Sequence, residues 1–275
     1  MLEATLLILL GLAVGGFGTL VGTGGGFLLV PVLLFAYPEK DLATVTAMSL
    51  FVVLANTTSG AIAYGYQQRI DYRSAGWFVL ATLPGVFAGA LLVGLIPRRV
   101  FVLLFAVMLA ALGAHLIFRR RFSGFREPVR GRGTALRRIR DRSGQRFIYA
   151  FRLWQGMTIA GGMGFMSALL GAGGGVVQVP LMTTILHFPV HIAAATSQFL
   201  YMIIALEATM VHVSTGGLGW DRELGQASLI ALGAVGGAQL GARLALRTRG
   251  EVILRALASA LILVALWLTL EGLRF

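Results

Sequence analysis

The sequence predicts an all-α integral membrane protein of two homologous repeats, each with a glycine-broken first segment followed by three transmembrane helices. Three observations carry this. The 275 residues are 57% hydrophobic and 12% charged, with a mean hydropathy of +0.83, whereas soluble domains carry about 25% charged residues. Apolar runs follow one another in two sets of four. The first run of each set is interrupted by one motif: Val21–Val32 and Leu170–Leu181 share six of twelve positions, Gly22/Gly171, Gly24/Gly173, Gly25/Gly174, Gly26/Gly175, Val30/Val179 and Pro31/Pro180.

The first repeat covers residues 1–118. Its broken run, Leu6 to Tyr37, exceeds the ~20 residues that one straight span needs. Each glycine of the triplet costs a helix about 1 kcal/mol relative to Ala, so the run should break there. Runs from Ala43 to Tyr64, Ala75 to Ile96 and Val100 to Phe118 follow. No Lys or Arg precedes the first run, so it reads as a retained span and not a signal peptide, which needs a positive start.

Residues 119–150 form a basic linker. Between Arg119 and Arg146, eleven Arg face only Glu127 and Asp141, which is most of the chain's net charge of +12. A pI near 11.4 would suit a nucleic-acid binder. A basic loop between spans instead marks the cytoplasmic side, and its expected partners are anionic lipid headgroups, not nucleic acid. Little stable structure is expected there beyond a short helix from Ala135 to Asp141.

The second repeat, residues 151–275, repeats the order: a broken run from Phe151 to Leu186, then Ile192–Val213, Leu224–Leu246 and Val252–Leu270. The correspondence extends to Ser49/Ser197, Asp71/Asp221 and Pro84–Gly89/Gly236–Gly241. Internal repeats of this kind are frequent in secondary transporters. If each broken run crosses the membrane once, the repeats are parallel; if it turns back, they are inverted. With the linker inside, single crossing puts four short-connection Lys and Arg inside and six outside, and turning back puts five on each side. The count favours inverted repeats with both termini outside.

Bare backbone inside a bilayer is tolerated only against protein or a wet cavity. A helix restarting after each triplet would offer unpaired N–H groups at its positive dipole end, and two such ends facing one cavity would hold an anion. The expected binding residues are Thr23, Gly24, Gly25 and Gly26 with Ser49 in the first repeat, and Gly173, Gly174, Gly175 and Gln178 with Ser197 and Gln198 in the second. Gly11, Gly15, Gly85, Gly89, Gly237 and Gly241 read instead as small residues for close helix packing. Glu207, at depth, and His212, toward the membrane surface, are candidates for carrying a coupling proton.

No cofactor is expected: neither triplet is followed by the Lys-Ser or Lys-Thr of a phosphate-binding loop. No metal is expected either, since Pro189 separates His187 from His191 in a turn. No Ser-His or His-His-Asp set lies in the apolar runs, so an intramembrane enzyme is disfavoured. An uncoupled anion channel is the alternative to a transporter.

Two copies of Gly-x-Gly-Gly-Gly-x-x-x-Val-Pro in such a chain, each followed by a run containing Ser, resemble the TauE/SafE family of sulfite exporters, also called TSUP. The resemblance implies transport of small sulfur-containing anions, such as sulfite or sulfonates, usually outward across a prokaryotic inner membrane; with Glu207 and His212 as proton carriers, the expected function is proton-coupled export. The family often shows Gly-Thr-Ser in the second run. Here Ala47-Met48-Ser49 departs from it, and Ala195-Thr196-Ser197 comes close.

Overall fold

The structure, a computed structural model, describes residues 2–118, 133–171, 175–214 and 222–272. The first repeat consists of α1 (Leu2–Val21), α2 (Gly26–Ala36), α3 (Leu42–Tyr66), α4 (Tyr72–Leu92, extended by a 3-10 turn, Val93–Leu95) and α5 (Arg98–Phe118). The second consists of α6 (Leu153–Leu170), α7 (Gly175–Thr184), α8 (Val190–Ser214), α9 (Arg222–Arg247) and α10 (Gly250–Gly272). Among the described residues, seven helices are long and apolar enough to cross a membrane: α1, α3, α4, α5, α8, α9 and α10. The chain is an all-α membrane protein. Each broken run has become a long helix and a short one, α1 with α2 and α6 with α7.

The two halves of the chain exchange helices. Helix α1 packs against α9, and α4 against α6. Small residues let the backbones touch. A Cβ on Gly11 would lie 1.9 Å from the Ile230 carbonyl oxygen, and one on Gly233 the same distance from that of Ile8. Further along, Gly241 meets the Gly16 carbonyl oxygen, so α1 and α9 run parallel. Gly85 and Gly89 of α4 meet Gly161, Phe165 and Leu169 of α6 in the same ascending order. Close packing is therefore the role of Gly11, Gly15, Gly85, Gly89, Gly237 and Gly241. Helix α3 joins α1 and α9, and α8 joins α4 and α6. Taking α3 with α1 and α9, and α8 with α4 and α6, divides these helices into two three-helix groups, each drawn from both halves of the chain, although α3 packs on α8 as closely as on α9.

Polar contacts identify what lies at each end. Gln226 of α9 donates to Glu3 at the start of α1. Lys40, before α3, pairs with Glu223 at 2.6 Å. Arg98, starting α5, donates to the carbonyls of Leu34, Pro38 and Lys40. The starts of α1, α3, α5 and α9 and the end of α2 thus share one end of the bundle. At the other end, Arg69 between α3 and α4 pairs with Asp141 of the linker at 2.8 Å, and Gly250 abuts Val190. The chain therefore turns back at the first break: α2 ends where α1 began.

The linker differs from expectation. The stretch read as a possible helix is a strand, β1 (Thr134–Arg140), paired antiparallel with β2 (Arg146–Arg152). The physical reason is visible in β2. Phe147, Tyr149 and Phe151 alternate with Arg146, Ile148 and Arg152, and the first set is buried while the second is exposed. That is the period of a strand. Gly144, at φ +87°, lets the turn close. The buried aromatics stack on the fold: Phe188 lies 4.4 Å from Tyr149 and 4.9 Å from Phe151 between ring centroids. Phe151 accordingly belongs to the hairpin and not to the following run. Burial pushes the Asp141 carboxyl up, but bonds from Ser143, Arg69 and the Gln145 N–H outweigh it and hold it below the usual range.

The α1–α9 contact can be tested. Gly11→Ala should lower stability by at least about 1–3 kcal/mol, the cost of overpacking. Gly162, also in a helix, has open space where its Cβ would go, so Gly162→Ala should stabilise by up to about 1 kcal/mol. Thermal unfolding in detergent should shift in opposite directions for the two.

Candidate functional site

The first break is a backbone knot. Helix α1 stops at Val21, and Gly22, Gly24 and Gly25 take φ of +81°, +74° and +82°, a region that side chains disfavour. The Gly18 carbonyl accepts the N–H groups of Thr23 at 2.7 Å and Gly24 at 3.3 Å. Asn56 of α3 donates to the Gly24 carbonyl at 3.0 Å and accepts from the Thr19 hydroxyl at 3.2 Å. The Tyr64 hydroxyl donates to the Thr19 carbonyl at 2.9 Å. Helix α2 then starts with Gly26 and Phe27, whose buried N–H groups have no acceptor among the described residues.

The second break lies between α6 and α7. Gly171, at φ +59°, caps α6 and lies against Thr46 of α3; Gly22 lies against Ala194 of α8. The two breaks touch: a Cβ on Gly175 would sit 2.4 Å from the Thr23 Cα. They touch where the two three-helix groups meet. Gly173 and Gly174 lie outside the described residues.

Some predicted side chains are engaged and others are not. The Thr23 hydroxyl points back to the Gly18 carbonyl at 3.5 Å. Ser49 donates to the Gly171 carbonyl at 2.8 Å, across the boundary between groups. Gln198 reaches across it from the other side, its amide nitrogen 3.4 Å from the Gly18 carbonyl oxygen. The Ser197 hydroxyl, the Gln178 Oε1 and the Gln198 Oε1 are buried without a hydrogen-bond partner. Among the further hydroxyls in this state are those of Thr46, on α3, and Tyr201, on α8. The sequence held a signal for both: Tyr201 follows Ser197 by one helical turn, and Thr46 precedes Ser49 by three residues, which puts each pair on one helix face. Leaving such a group unpaired costs about 1–3 kcal/mol, and here several cluster on the elements around the breaks.

The proton candidates lie elsewhere on α8. Glu207 is partly exposed, with a buried Oε2 that has no hydrogen-bond partner. His212 is buried, near the end of the helix.

Seven apolar, membrane-length helices among the described residues make this a multi-pass membrane protein. The family model described as "Sulfite exporter TauE/SafE" matches residues 7–268, so the chain belongs to that family. It is 28% identical over 279 residues to "Probable membrane transporter protein YunE" of Bacillus subtilis (strain 168), spanning 97% of each chain. It is 25% identical to "Probable membrane transporter protein MJ0441" of Methanocaldococcus jannaschii, over 82% of this chain and 78% of the relative. A "Probable membrane transporter protein" of Xylella fastidiosa (strain Temecula1) is 26% identical over 87% and 82%. No solved structure matches significantly.

Two serines at matching positions should separate binding from packing. Ser49→Ala removes a made hydrogen bond and should cost about 1 kcal/mol of stability. Ser197→Ala removes an unpartnered hydroxyl, so stability should hold or rise while transport falls. Melting temperature and flux measured on the same preparations decide it.

Proposed function

We propose that the protein exports small sulfur-containing anions (sulfite, sulfonates or related oxyanions) by proton-coupled alternating access. The observation that carries the reading is the contact of the two glycine breaks at the boundary between the two helix groups. There the Gly26 and Phe27 N–H groups and the Ser197 hydroxyl are donors without acceptors among the described residues. Rotating the Gln178 amide would present its nitrogen as another. Glycine keeps the donors open to a small ligand, and a helix N-terminus favours negative charge. The family's name supports a sulfur oxyanion as cargo.

In this mechanism the moving bodies are the exchanged groups, α1–α3–α9 and α4–α6–α8, not the sequence halves. Ser49 and Gln198 bridge them beside the anion, and rocking about the breaks exposes the site to each side in turn. Glu207 takes up and releases the coupling proton, with His212 as its relay to the surface. The repeats are inverted, the hairpin lies in the cytoplasm against anionic headgroups, and both termini lie outside. The support for the inversion is the gathering of the α1 start and the α2 end on one side of the fold.

Purified protein in liposomes should accumulate sulfite against its gradient when a proton gradient is imposed. Flux only down the sulfite gradient would make it a channel, and no flux of any sulfur oxyanion would reject the cargo. The chain has no Cys, so single cysteines at Met1 and Phe275 can report orientation. Impermeant maleimide should label both from outside in intact cells.

A further inference from the structure

The β-hairpin touches both helix groups at one end of the molecule. Its turn holds the α3 side. The Arg142 N–H donates to the Gln67 carbonyl at the end of α3 at 3.1 Å. Arg69 grips the Asp141 carboxylate with Nε at 3.1 Å and Nη2 at 2.8 Å. The Arg69 N–H bonds the Tyr64 carbonyl of α3, and the Gln67 amide donates to Ala242 of α9 at 3.1 Å. This anchor therefore belongs to the α1–α3–α9 group.

The strands of the hairpin hold the other side. The Tyr149 hydroxyl donates to Asp71, the N-cap of α4, at 2.7 Å. Arg137 donates to Ser74 of α4 at 3.0 Å and lies 3.3 Å from the Asp71 carboxylate. The Asp71 N–H donates to the Thr196 hydroxyl of α8 at 3.0 Å, one residue from Ser197. Phe147, Tyr149 and Phe151 share a buried cluster with Phe78, Ile192 and Leu200. The groups part between Arg69 and Asp71, and the hairpin is fixed to both sides of that line.

We infer that the hairpin is a one-sided latch, which must release either the Arg69–Asp141 contact or the Asp71–Tyr149–Arg137 contact before the helix groups can separate at its end. The opposite end is built differently among the described residues. Lys40–Glu223 joins α3 to α9 within one group, and Arg98 ties α5 to the α2–α3 connection. The Arg69–Asp141 pair is almost wholly buried, with side chains 5% and 2% exposed. Removing one partner of such a pair leaves an uncompensated charge, which is strongly unfavourable. The latched state is held by that difference.

The inference rests on the two-group motion proposed above, but it can be read without transport. Ser197→Cys, in this chain without Cys, serves as a reporter for impermeant maleimide in vesicles of either orientation. Asp141→Asn and Arg69→Gln should each raise labelling from the hairpin side by about tenfold or more, a shift well within what a broken buried pair releases. Labelling from the other side should not rise. The exchanged pair Arg69→Asp with Asp141→Arg should return labelling toward the parent rate. Tyr149→Phe, which removes one hydroxyl and keeps the ring, should give a smaller rise of the same sidedness. Parent-like labelling in monodisperse Tyr149→Phe and Asp141→Asn, or an equal rise from both sides, overturns the latch. Absence of sulfite flux, by contrast, rejects the cargo and leaves the labelling result standing.

Discussion

Backbone inside a membrane must find its partners within the protein, and the two glycine breaks are where this fold meets that demand. At the first break one carbonyl, that of Gly18, takes two N–H groups, while Asn56 reaches from α3 to take up the Gly24 carbonyl. None of this works at a distance. Gly22 must lie against the backbone of Ala194 and Gly175 against that of Thr23. The breaks therefore have to be pressed together, and the helices that press them are arranged around that contact. Helices α3 and α8 cross beside it, and the paired helices α1–α9 and α4–α6 flank it.

Exchange of helices between repeats follows from the same constraint. A repeat that packed only on itself would leave its break facing lipid. By placing α9 beside α1 and α6 beside α4, each repeat encloses the other's break. In a bilayer there is little hydrophobic drive for this, so contact relies on small residues and on hydrogen bonds between helices. Both are present: backbones touch at Gly11, Gly233, Gly85 and Gly89, and Gln239 of α9 donates to the Ser59 hydroxyl of α3 at 2.9 Å.

Much of this was legible in the sequence because the signals were strong and local. A doubled Gly-x-Gly-Gly-Gly within apolar runs is read directly as two breaks, and glycines four apart are read as packing surfaces. The hairpin was not legible in the same way. Its arginines suggested a solvated linker, and the period-two pattern of Phe147, Tyr149 and Phe151 ran straight into the apolar start of α6. Its stability comes from stacking on Phe78 and Phe188, residues far away in the chain. At the site, Ser197 and Gln178 stood out as polar groups in apolar surroundings. Asn56 was not among the expected binding residues, and only the fold reveals that it closes the first break. Tyr64 was hidden because a tyrosine in an apolar run reads as a hydrophobe, whereas Tyr201 was betrayed only by its place one helical turn past Ser197.

The duplicated motif has not kept duplicate surroundings, and on the proposed reading the difference bears on which break would meet the anion. By the register that aligns Ser49 with Ser197, the counterpart of Asn56 is Ile204, which cannot bond to backbone. The counterpart of Phe27 is Val176, and Gln178 stands where the first repeat has Leu29. The first break thus spends its polar neighbours, Thr19, Asn56 and Tyr64, on one another and on its own turn. Around the second, Gln178, Ser197 and Tyr201 keep buried polar atoms unpaired. A break stiffened by its own hydrogen bonds suits a fixed pivot. One ringed by unpaired polar groups suits a ligand that arrives and leaves. On the proposed reading, the first repeat supplies the rigid N-terminus of α2 and the second supplies the side chains that respond to the anion.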